Sequence, residues 1–169
     1  MVRLSVLFLL FFSINQLQSQ TQNAPCNTEK HQEFNFWLGD WNVYDVKGTL
    51  IGTNKILKMQ NNCVMQENWE SKASSNTGTS YNYVDKVDNT WNQVWIDNSG
   101  FSLVLKGNLK DGSMILQSKL VKGQKQDYYN RVTWTPNKDG SVTQVWEYLS
   151  SEGKLIQEAF RGIYKKKNQ

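Results

Sequence analysis

The sequence predicts an all-β protein: an antiparallel up-and-down β-barrel of about ten strands, preceded by a short helical turn. Two observations support this fold class. After residue 35, short aromatic and β-branched runs alternate with turn residues, and no segment shows a helical period. The turns are short, so consecutive strands form a meander, and a meander of this length closes or splits into two sheets. Closure removes the exposed strand edges at which chains aggregate, and we therefore predict a closed barrel.

The N-terminus has the pattern of a secretory signal peptide. Arg3 precedes an apolar run from Leu4 to Ile14, and Ser19 is a candidate for the last residue before cleavage. A run of about 11 apolar residues is too short to span a bilayer, which needs about 20. We expect residues 1–19 to be the signal peptide and the protein to be secreted or periplasmic. An N-terminal membrane anchor and a lipoprotein attached at Cys26 are the weaker alternatives.

One barrel domain is predicted for residues 36–166, after a lead segment at residues 20–35. In the lead segment, a helical turn is expected between Asn27 and Glu33, with Asn27 or Thr28 as its N-cap. The turns between strands are rich in glycine and asparagine, which accept the positive φ of tight hairpins. The strands are expected near residues 37–46, 49–59, 63–72, 79–86, 91–98, 101–108, 113–121, 126–135, 141–149 and 154–165.

The motif from Trp37 to Trp41 marks the predicted start of the first strand. We expect one of its two tryptophans to plug the base of the barrel interior. Gly39, between them, is expected to let neighbouring backbone approach closely. The motif indicates architecture rather than chemistry, because no catalytic pattern accompanies it.

Polar and aromatic side chains share one face of several predicted strands. Neither face of these strands is purely apolar, which favours a barrel whose interior holds a cavity with polar groups. An ordinary barrel with a hydrated outer face is the alternative. The residues grouped on one face in this way are Met65, Glu67 and Trp69; Trp91, Gln93, Trp95 and Asp97; Gln144, Trp146 and Tyr148; and Phe160, Gly162 and Tyr164.

The charge distribution argues against a nucleic-acid partner. The chain has 19 Lys and Arg against 15 Asp and Glu, a formal net charge of +4. Arg3 and the lysines at positions 165–167 account for most of this excess, so no basic face for phosphate binding is expected. We expect the terminal lysines to form a solvated tail.

The two cysteines, Cys26 and Cys63, are predicted to form a disulfide bond. An exported protein meets an oxidising compartment, in which pairing is the default. A redox-active or metal-binding pair is the alternative, but the CxxC spacing typical of such sites is missing.

Several segments resemble a family of exported bacterial proteins in the lipocalin-like group. The opening stretch 33–43, with the pattern Phe-Trp-Leu-Gly-x-Trp, carries the likeness, and segments 67–69, 93–97, 131–135, 144–147 and 160–164 continue it. The resemblance implies a lipocalin-like, calycin-type barrel, and it implies no reaction because the family has no established activity. Gly39-x-Trp41 is also similar to the Gly-x-Trp of lipocalins proper, which implies an arginine over the Trp41 ring, here Arg161 or Arg131.

The sequence contains few candidate catalytic residues or metal ligands. No metal site and no cofactor are predicted, because His31 is the single histidine and a solvated or capping role fits it better than haem ligation. Asp85, Asp88 and Asn89 are better explained as turn residues than as calcium ligands. One enzymatic option remains, a carboxylate pair formed by Glu67 with Asp97 or with Glu147. The alternative is that these carboxylates are exposed or paired with Arg131.

Binding of a small, partly apolar ligand inside the barrel is the function that the sequence favours. Such sites combine aromatic walls with a few polar groups. We expect a monomer with neither a membrane span nor a catalytic residue. The alternatives are a non-enzymatic envelope protein that uses its outer face and, less favoured, a carboxylate-dependent hydrolase. The predicted ligand-binding residues are Glu67, Trp69, Asn82, Trp95, Asp97, Arg131 and Gln144.

Overall fold

The computed structural model describes residues 25–167. The predicted signal peptide and its cleavage position near Ser19 lie outside these residues. A helix, α1 (Glu29–Gln32), and a 3₁₀ turn (Asn35–Trp37) precede ten strands. The strands are β1 (Gly39–Tyr44), β2 (Leu50–Met59), β3 (Val64–Ser71), β4 (Thr77–Asp85), β5 (Thr90–Asp97), β6 (Ser102–Lys110), β7 (Ser113–Gln117), β8 (Tyr128–Pro136), β9 (Val142–Ser150) and β10 (Leu155–Lys166).

The strands form a closed antiparallel barrel, which confirms the predicted fold class. Each strand pairs with the next one along the chain, and β10 closes the barrel by pairing with β1. The observed strand bounds lie within two residues of the predicted ones, except at the end of β7. The first strand begins at Gly39 because Trp37 completes the 3₁₀ turn, and β7 ends at Gln117, before a loop that leads to β8.

A disulfide bond joins Cys26 to Cys63, as predicted. It ties the segment before α1 to the turn between β2 and β3, and its Cα atoms are 4.9 Å apart. The two cysteines are 37 positions apart, and closing such a loop contributes on the order of 3–4 kcal/mol in the chain-entropy description.

Aromatic side chains fill the base of the barrel. Phe34 and Trp37, from the segment before β1, insert beneath the strands and are fully buried. The Phe34 ring stacks on Trp37 with centroids 5.0 Å apart and meets the edge of Trp134 at 5.2 Å. The prediction that a tryptophan plugs the base is therefore confirmed. We call this packed part the base cluster; its large members are Phe34, Trp37, Trp41, Trp91, Trp134 and Tyr164.

His31 of α1 is buried, so of its two expected roles, solvated or capping, the solvated one is wrong. Its ring Nδ1 lies 2.8 Å from Thr28 Oγ1, and Lys58 Nζ donates to its carbonyl oxygen at 2.6 Å. Burial lowers the pKa of His31, and the nearby charges of Lys58 and Lys86 lower it further.

Gly39 has a conformational role rather than the predicted steric one. Its φ of +134° is a backbone conformation that side-chain-bearing residues rarely adopt. A Cβ placed there would lie 3.6 Å from a Lys166 side-chain atom, which is ordinary contact. The expectation of a close backbone approach at this glycine is therefore wrong.

Lys165 and Lys166 are exposed, as expected of solvated residues, but they lie on a barrel strand rather than in a tail. Lys165 and Lys166 are residues of β10, paired with Asn42 and Trp41 of β1. The Lys166 ammonium lies 5.4 Å from the centroid of the Trp41 ring. The cation over this tryptophan is therefore a lysine from the last strand, and neither predicted arginine occupies the position.

Candidate functional site

Above the base cluster, the barrel holds a cavity of about 790 Å³. It extends from the middle of the barrel to the turns that join β3 to β4 and β5 to β6. Six aromatic residues line it above the floor, and the alternation of strand side chains points five of them inward, while Phe101 follows the turn between β5 and β6. These aromatic residues are Trp69, Trp95, Phe101, Trp146, Tyr148 and Phe160.

A glycine on the neighbouring strand lies behind each of two wall tryptophans. A Cβ built on Gly52 of β2 would be 2.2 Å from the Trp69 ring, and one built on Gly78 of β4 would be 2.2 Å from the Trp95 ring. Both indoles therefore lie flat against the strand beside them, in space that any other residue would occupy. This arrangement keeps two of the three wall tryptophans out of the middle of the cavity.

Glu67 is the centre of a hydrogen-bonded network at the floor of the cavity. Its carboxyl group is bonded by Asn54 Nδ2 at 2.7 Å and by the Ser80 hydroxyl at 2.7 Å. The Ser80 oxygen in turn accepts from Asn82 Nδ2 at 2.9 Å, and Gln93 Nε2 donates to Asn82 Oδ1 at 2.9 Å. The network spans β2 to β5 and fixes the orientation of each amide.

The network continues across the barrel to β10 and β9. The Tyr164 hydroxyl accepts from Asn54 Nδ2 at 3.4 Å and donates to Gln144 Oε1. No described residue accepts a hydrogen bond from Gln144 Nε2. Asn54 Oδ1 is buried and has no partner within residues 25–167.

Burial changes the acidity of two groups in this network. It raises the pKa of Glu67 from 4.5 to about 7, although the hydrogen bonds from Ser80 and Asn54 act in the opposite direction. Burial also raises the pKa of the Tyr164 hydroxyl, and the charge of Glu67 adds to that effect. Near neutral pH, Glu67 therefore exchanges a proton while Tyr164 stays neutral.

Asp97 stands at the rim of the cavity and shapes the turn between β5 and β6. Its Oδ1 accepts from the Ser99 backbone N–H at 2.9 Å, the Ser99 hydroxyl at 2.6 Å and the Phe101 backbone N–H at 3.1 Å. The hydrogen bonds from Ser99 are the main cause of its lowered pKa. Its Oδ2 accepts from Asn76 Nδ2 at 3.2 Å, so Asp97 is an ionised turn residue beside the opening.

The structure brings most of the predicted ligand-binding residues to this cavity. The residues that line it are Glu67, Trp69, Trp95, Asp97 and Gln144. Asn82 is fully buried beneath the floor, where it supports Ser80 and Gln93.

Arg131 does not belong to the cavity, and its inclusion in the predicted site is wrong. Its neighbours on β8, Asn130 and Val132, are buried inside the barrel, so alternation directs Arg131 outward. There it pairs with Glu147 of β9 at 2.8 Å. A single-position error on a strand moves a side chain to the opposite face.

Of the two less favoured carboxylate pairs, Glu67 with Glu147 is not formed, whereas Glu67 and Asp97 both line the cavity. Glu147 is bound to Arg131 on the outer face, and the side chains of Glu67 and Asp97 have separate hydrogen-bond partners. Within residues 25–167, no group of three or more His, Cys, Asp or Glu is arranged to hold a metal ion. Asp85 and Asp88 accept backbone N–H bonds in their own turn, at 2.8 and 3.3 Å, as expected of turn residues.

Sequence reasoning missed several residues of the site. The polar network also includes Asn54, Ser80 and Tyr164. The wall tryptophans pack against two glycines, Gly52 and Gly78. A signal was available for the glycines, because glycine inside a predicted strand marks the close approach of another group. No comparable signal existed for Asn54, whose partner is brought close only by strand register.

A groove of about 930 Å³ adjoins the cavity at its side. The groove exists because β7 ends at Gln117, which pairs with Lys106 of β6. The residues of β6 before Lys106 therefore pair with β5 on one side and have no strand on the other. The loop after β7 covers part of this gap. Leu103 and Tyr148 line both the groove and the cavity.

No protein-family model and no curated protein matches this chain. The resemblance to the lipocalin-like family therefore stays a prediction. Among residues 25–167, no helix has both the length and the apolar character needed to cross a membrane.

Proposed function

We propose that this protein binds a small, partly apolar ligand in the upper half of the barrel. The observation that supports the proposal is the cavity of about 790 Å³, with aromatic walls and a polar floor. Sites for small molecules have volumes of about 300–1,000 Å³ and combine apolar walls with a few placed polar groups.

Each part of the cavity has a role in this proposal. Trp69 and Trp95 present flat apolar surfaces to the body of the ligand. Each ring packs against the backbone of a glycine on the neighbouring strand, which limits its movement. Glu67, Gln93 and Gln144 offer polar atoms that orient it. The base cluster beneath is close-packed, so the floor keeps its shape when the cavity is empty or filled.

We also propose that the protein acts outside the cytoplasm, in a secreted or periplasmic location. The Cys26–Cys63 disulfide supports this location because such bonds persist in oxidising compartments. The leader-like pattern of residues 1–19 is the second support.

Tryptophan fluorescence tests the binding proposal. A panel of lipophilic and aromatic compounds is titrated into the protein, and at least one is expected to quench the fluorescence saturably and to raise the melting temperature. Trp95→Ala should weaken that response because its ring forms part of the wall. Ile96→Ala is the matched control, since Ile96 is the next residue on β5 and is exposed on the outer face.

A panel that changes neither the fluorescence nor the melting temperature would contradict the proposal. An equal loss of response in the Trp95→Ala and Ile96→Ala proteins would also contradict it, because binding would then not involve the interior. Either result would favour the envelope-protein alternative, in which the outer face contacts a partner.

A further inference from the structure

We infer that the ligand is an organic cation, a protonated amine on an apolar body, with its ammonium group bound by Glu67 and Gln93 at the floor of the cavity. This inference rests on the proposed function and adds the chemical class of the ligand. Three independent features of the cavity support it: its charge, its unused hydrogen-bond acceptors and its aromatic wall.

The charge inside the cavity is opposite in sign to the charge of the whole protein. The chain carries a formal net charge of +4, yet the charged side chains among the described lining residues are the carboxylates of Glu67 and Asp97. No lysine, arginine or histidine of residues 25–167 lines the cavity. A low-dielectric cleft lined by one sign of charge concentrates ligands of the opposite sign, so this cavity attracts cations and repels anions.

Two acceptors on the floor have unused capacity. Each Glu67 oxygen accepts one bond, from Asn54 or from Ser80, whereas an ionised carboxyl group offers about four acceptor positions. Gln93 is only 4% exposed and uses its Nε2 on Asn82 and Ser80, and no described residue donates to its Oε1. The Ser80 hydroxyl contacts both side chains, through a Glu67 oxygen and through Gln93 Nε2, so Glu67 and Gln93 are neighbours on the floor.

An ammonium group matches this floor. An ammonium supplies three donors and a positive charge, which satisfy the unused acceptors and neutralise the Glu67 carboxylate. The Glu67 side chain is only 5% exposed and has no cationic partner among the described residues. A neutral ligand offers no charge to pair with the Glu67 carboxylate, and an anionic ligand repels it. The indoles of Trp69 and Trp95 stand above the floor, where their faces attract a cation and cover its apolar substituent.

The acidity of Glu67 gives this inference a pH signature. Its pKa of about 7 means that pairing with an ammonium requires loss of a proton from Glu67 near neutrality. The other titratable groups facing the cavity are Tyr164 on β10, Tyr148 on β9 and Asp97 on β5. The pKa values of both tyrosines are raised and that of Asp97 is lowered, so Glu67 alone changes charge between about pH 6 and pH 8.

Three naphthalene probes of similar shape test the inference by calorimetry at about pH 8. They are 2-(1-naphthyl)ethylamine, 2-(1-naphthyl)ethanol and 1-naphthylacetate. We expect the amine to bind roughly 10- to 100-fold more tightly than the alcohol, the usual effect of a charged hydrogen bond, and the carboxylate to bind most weakly. Between about pH 6 and pH 8, amine affinity should rise while alcohol affinity stays constant.

Glu67→Gln should reduce the amine affinity to that of the alcohol and leave alcohol binding unchanged. Glu70→Gln is the matched control, because Glu70 is on the same strand, carries the same charge and is exposed on the outer face. This control should bind all three probes as the unaltered protein does. If Glu67→Gln does not fold, the pH dependence of the unaltered protein decides the question.

Each remaining outcome counts against the inference. Equal or tighter binding of the alcohol, or an amine affinity that does not change with pH, would overturn the ligand class while the cavity function stands. An amine preference that survives Glu67→Gln would do the same. Failure of all three probes to bind would also overturn it, and the broader fluorescence panel would then decide separately whether the cavity binds any ligand.

Discussion

The two halves of this barrel share the same strands, yet one half is filled and the other is hollow. In the base cluster, aromatic rings pack on one another, as Trp37 does on Phe34 and Trp134 at centroid distances of 5.0 and 5.3 Å. In the upper half, Trp69 and Trp95 lie flat on the glycines of neighbouring strands. The number of tryptophans therefore does not determine whether a barrel interior is full. The surface that each ring packs against determines it.

The segment before β1 also contributes to the difference in packing between the base and the upper half. Phe34 and Trp37 come from residues before the first strand and fill the centre of the base, where strand side chains alone would leave space. The described residues include no comparable segment inside the upper half. The network around Glu67 separates the two halves and gives the cavity a polar floor above an apolar base.

Truncation of a base tryptophan should cause the largest loss of stability. Trp134→Ala is expected to lower the free energy of unfolding by about 3–5 kcal/mol, because it leaves a cavity among rings that cannot collapse. Trp95→Ala should cost clearly less, since its ring already borders open space. Denaturant unfolding measures both. Equal costs for the two variants would show that the upper half is as tightly packed as the base.

The pH dependence of stability should report on the polar floor. Because burial raises the pKa of Glu67 from 4.5 to about 7, the folded protein holds this proton more tightly than the unfolded chain. Its stabilising contribution is present below about pH 4.5 and is lost as the pH rises to about 7, a change of about 3 kcal/mol. Glu67→Gln removes that contribution.

Unfolding of both proteins across this pH range provides the measurement. The free energy of unfolding of the unaltered protein should fall relative to that of Glu67→Gln between about pH 4.5 and pH 7, and the difference should then stay constant. Taking the difference removes the effects of the surface carboxyl groups. A constant difference from low to neutral pH would mean that Glu67 is not buried as described.

A side chain at the glycine behind a wall tryptophan should push the tryptophan ring into the cavity and fill part of the upper half. Gly78→Ala places a methyl group where the Trp95 ring lies, and we expect a loss of about 1–3 kcal/mol in the free energy of unfolding. The displaced ring should enter the cavity and weaken ligand quenching. In a Trp95→Ala background, Gly78→Ala should cost much less, and additive costs would mean that the two residues do not interact.

The smallest effect is expected on the outer face. Arg131→Ala breaks the ion pair with Glu147, which is partly exposed, and should change the free energy of unfolding by about 1 kcal/mol or less. Ligand binding should be unchanged because Arg131 is outside the cavity. A Trp fluorescence titration that loses its saturation in this variant would contradict the assignment of Arg131 to the outer face.

Local sequence patterns were sufficient to predict the strands and much of the cavity wall. The alternation of Met65, Glu67 and Trp69, and of Trp91, Gln93, Trp95 and Asp97, correctly groups the inward-facing residues of β3 and β5. Strand alternation is a property of the backbone, so it survives in any sheet. The prediction for Arg131 is wrong because alternation on β8 directs Asn130 and Val132 inward and Arg131 outward.

By itself, the sequence determined the strand-and-turn pattern, the number of strands and the pairing of Cys26 with Cys63, because these depend on local conformational preference and on the count of cysteines. Only the tertiary structure decided that the base is packed, that the upper half is open and that Glu67 has amide and hydroxyl partners but no cation among the described residues. Those features depend on which residues strand register and barrel closure bring together from distant parts of the chain. Closure likewise placed Lys166 over Trp41, a contact between the last strand and the first.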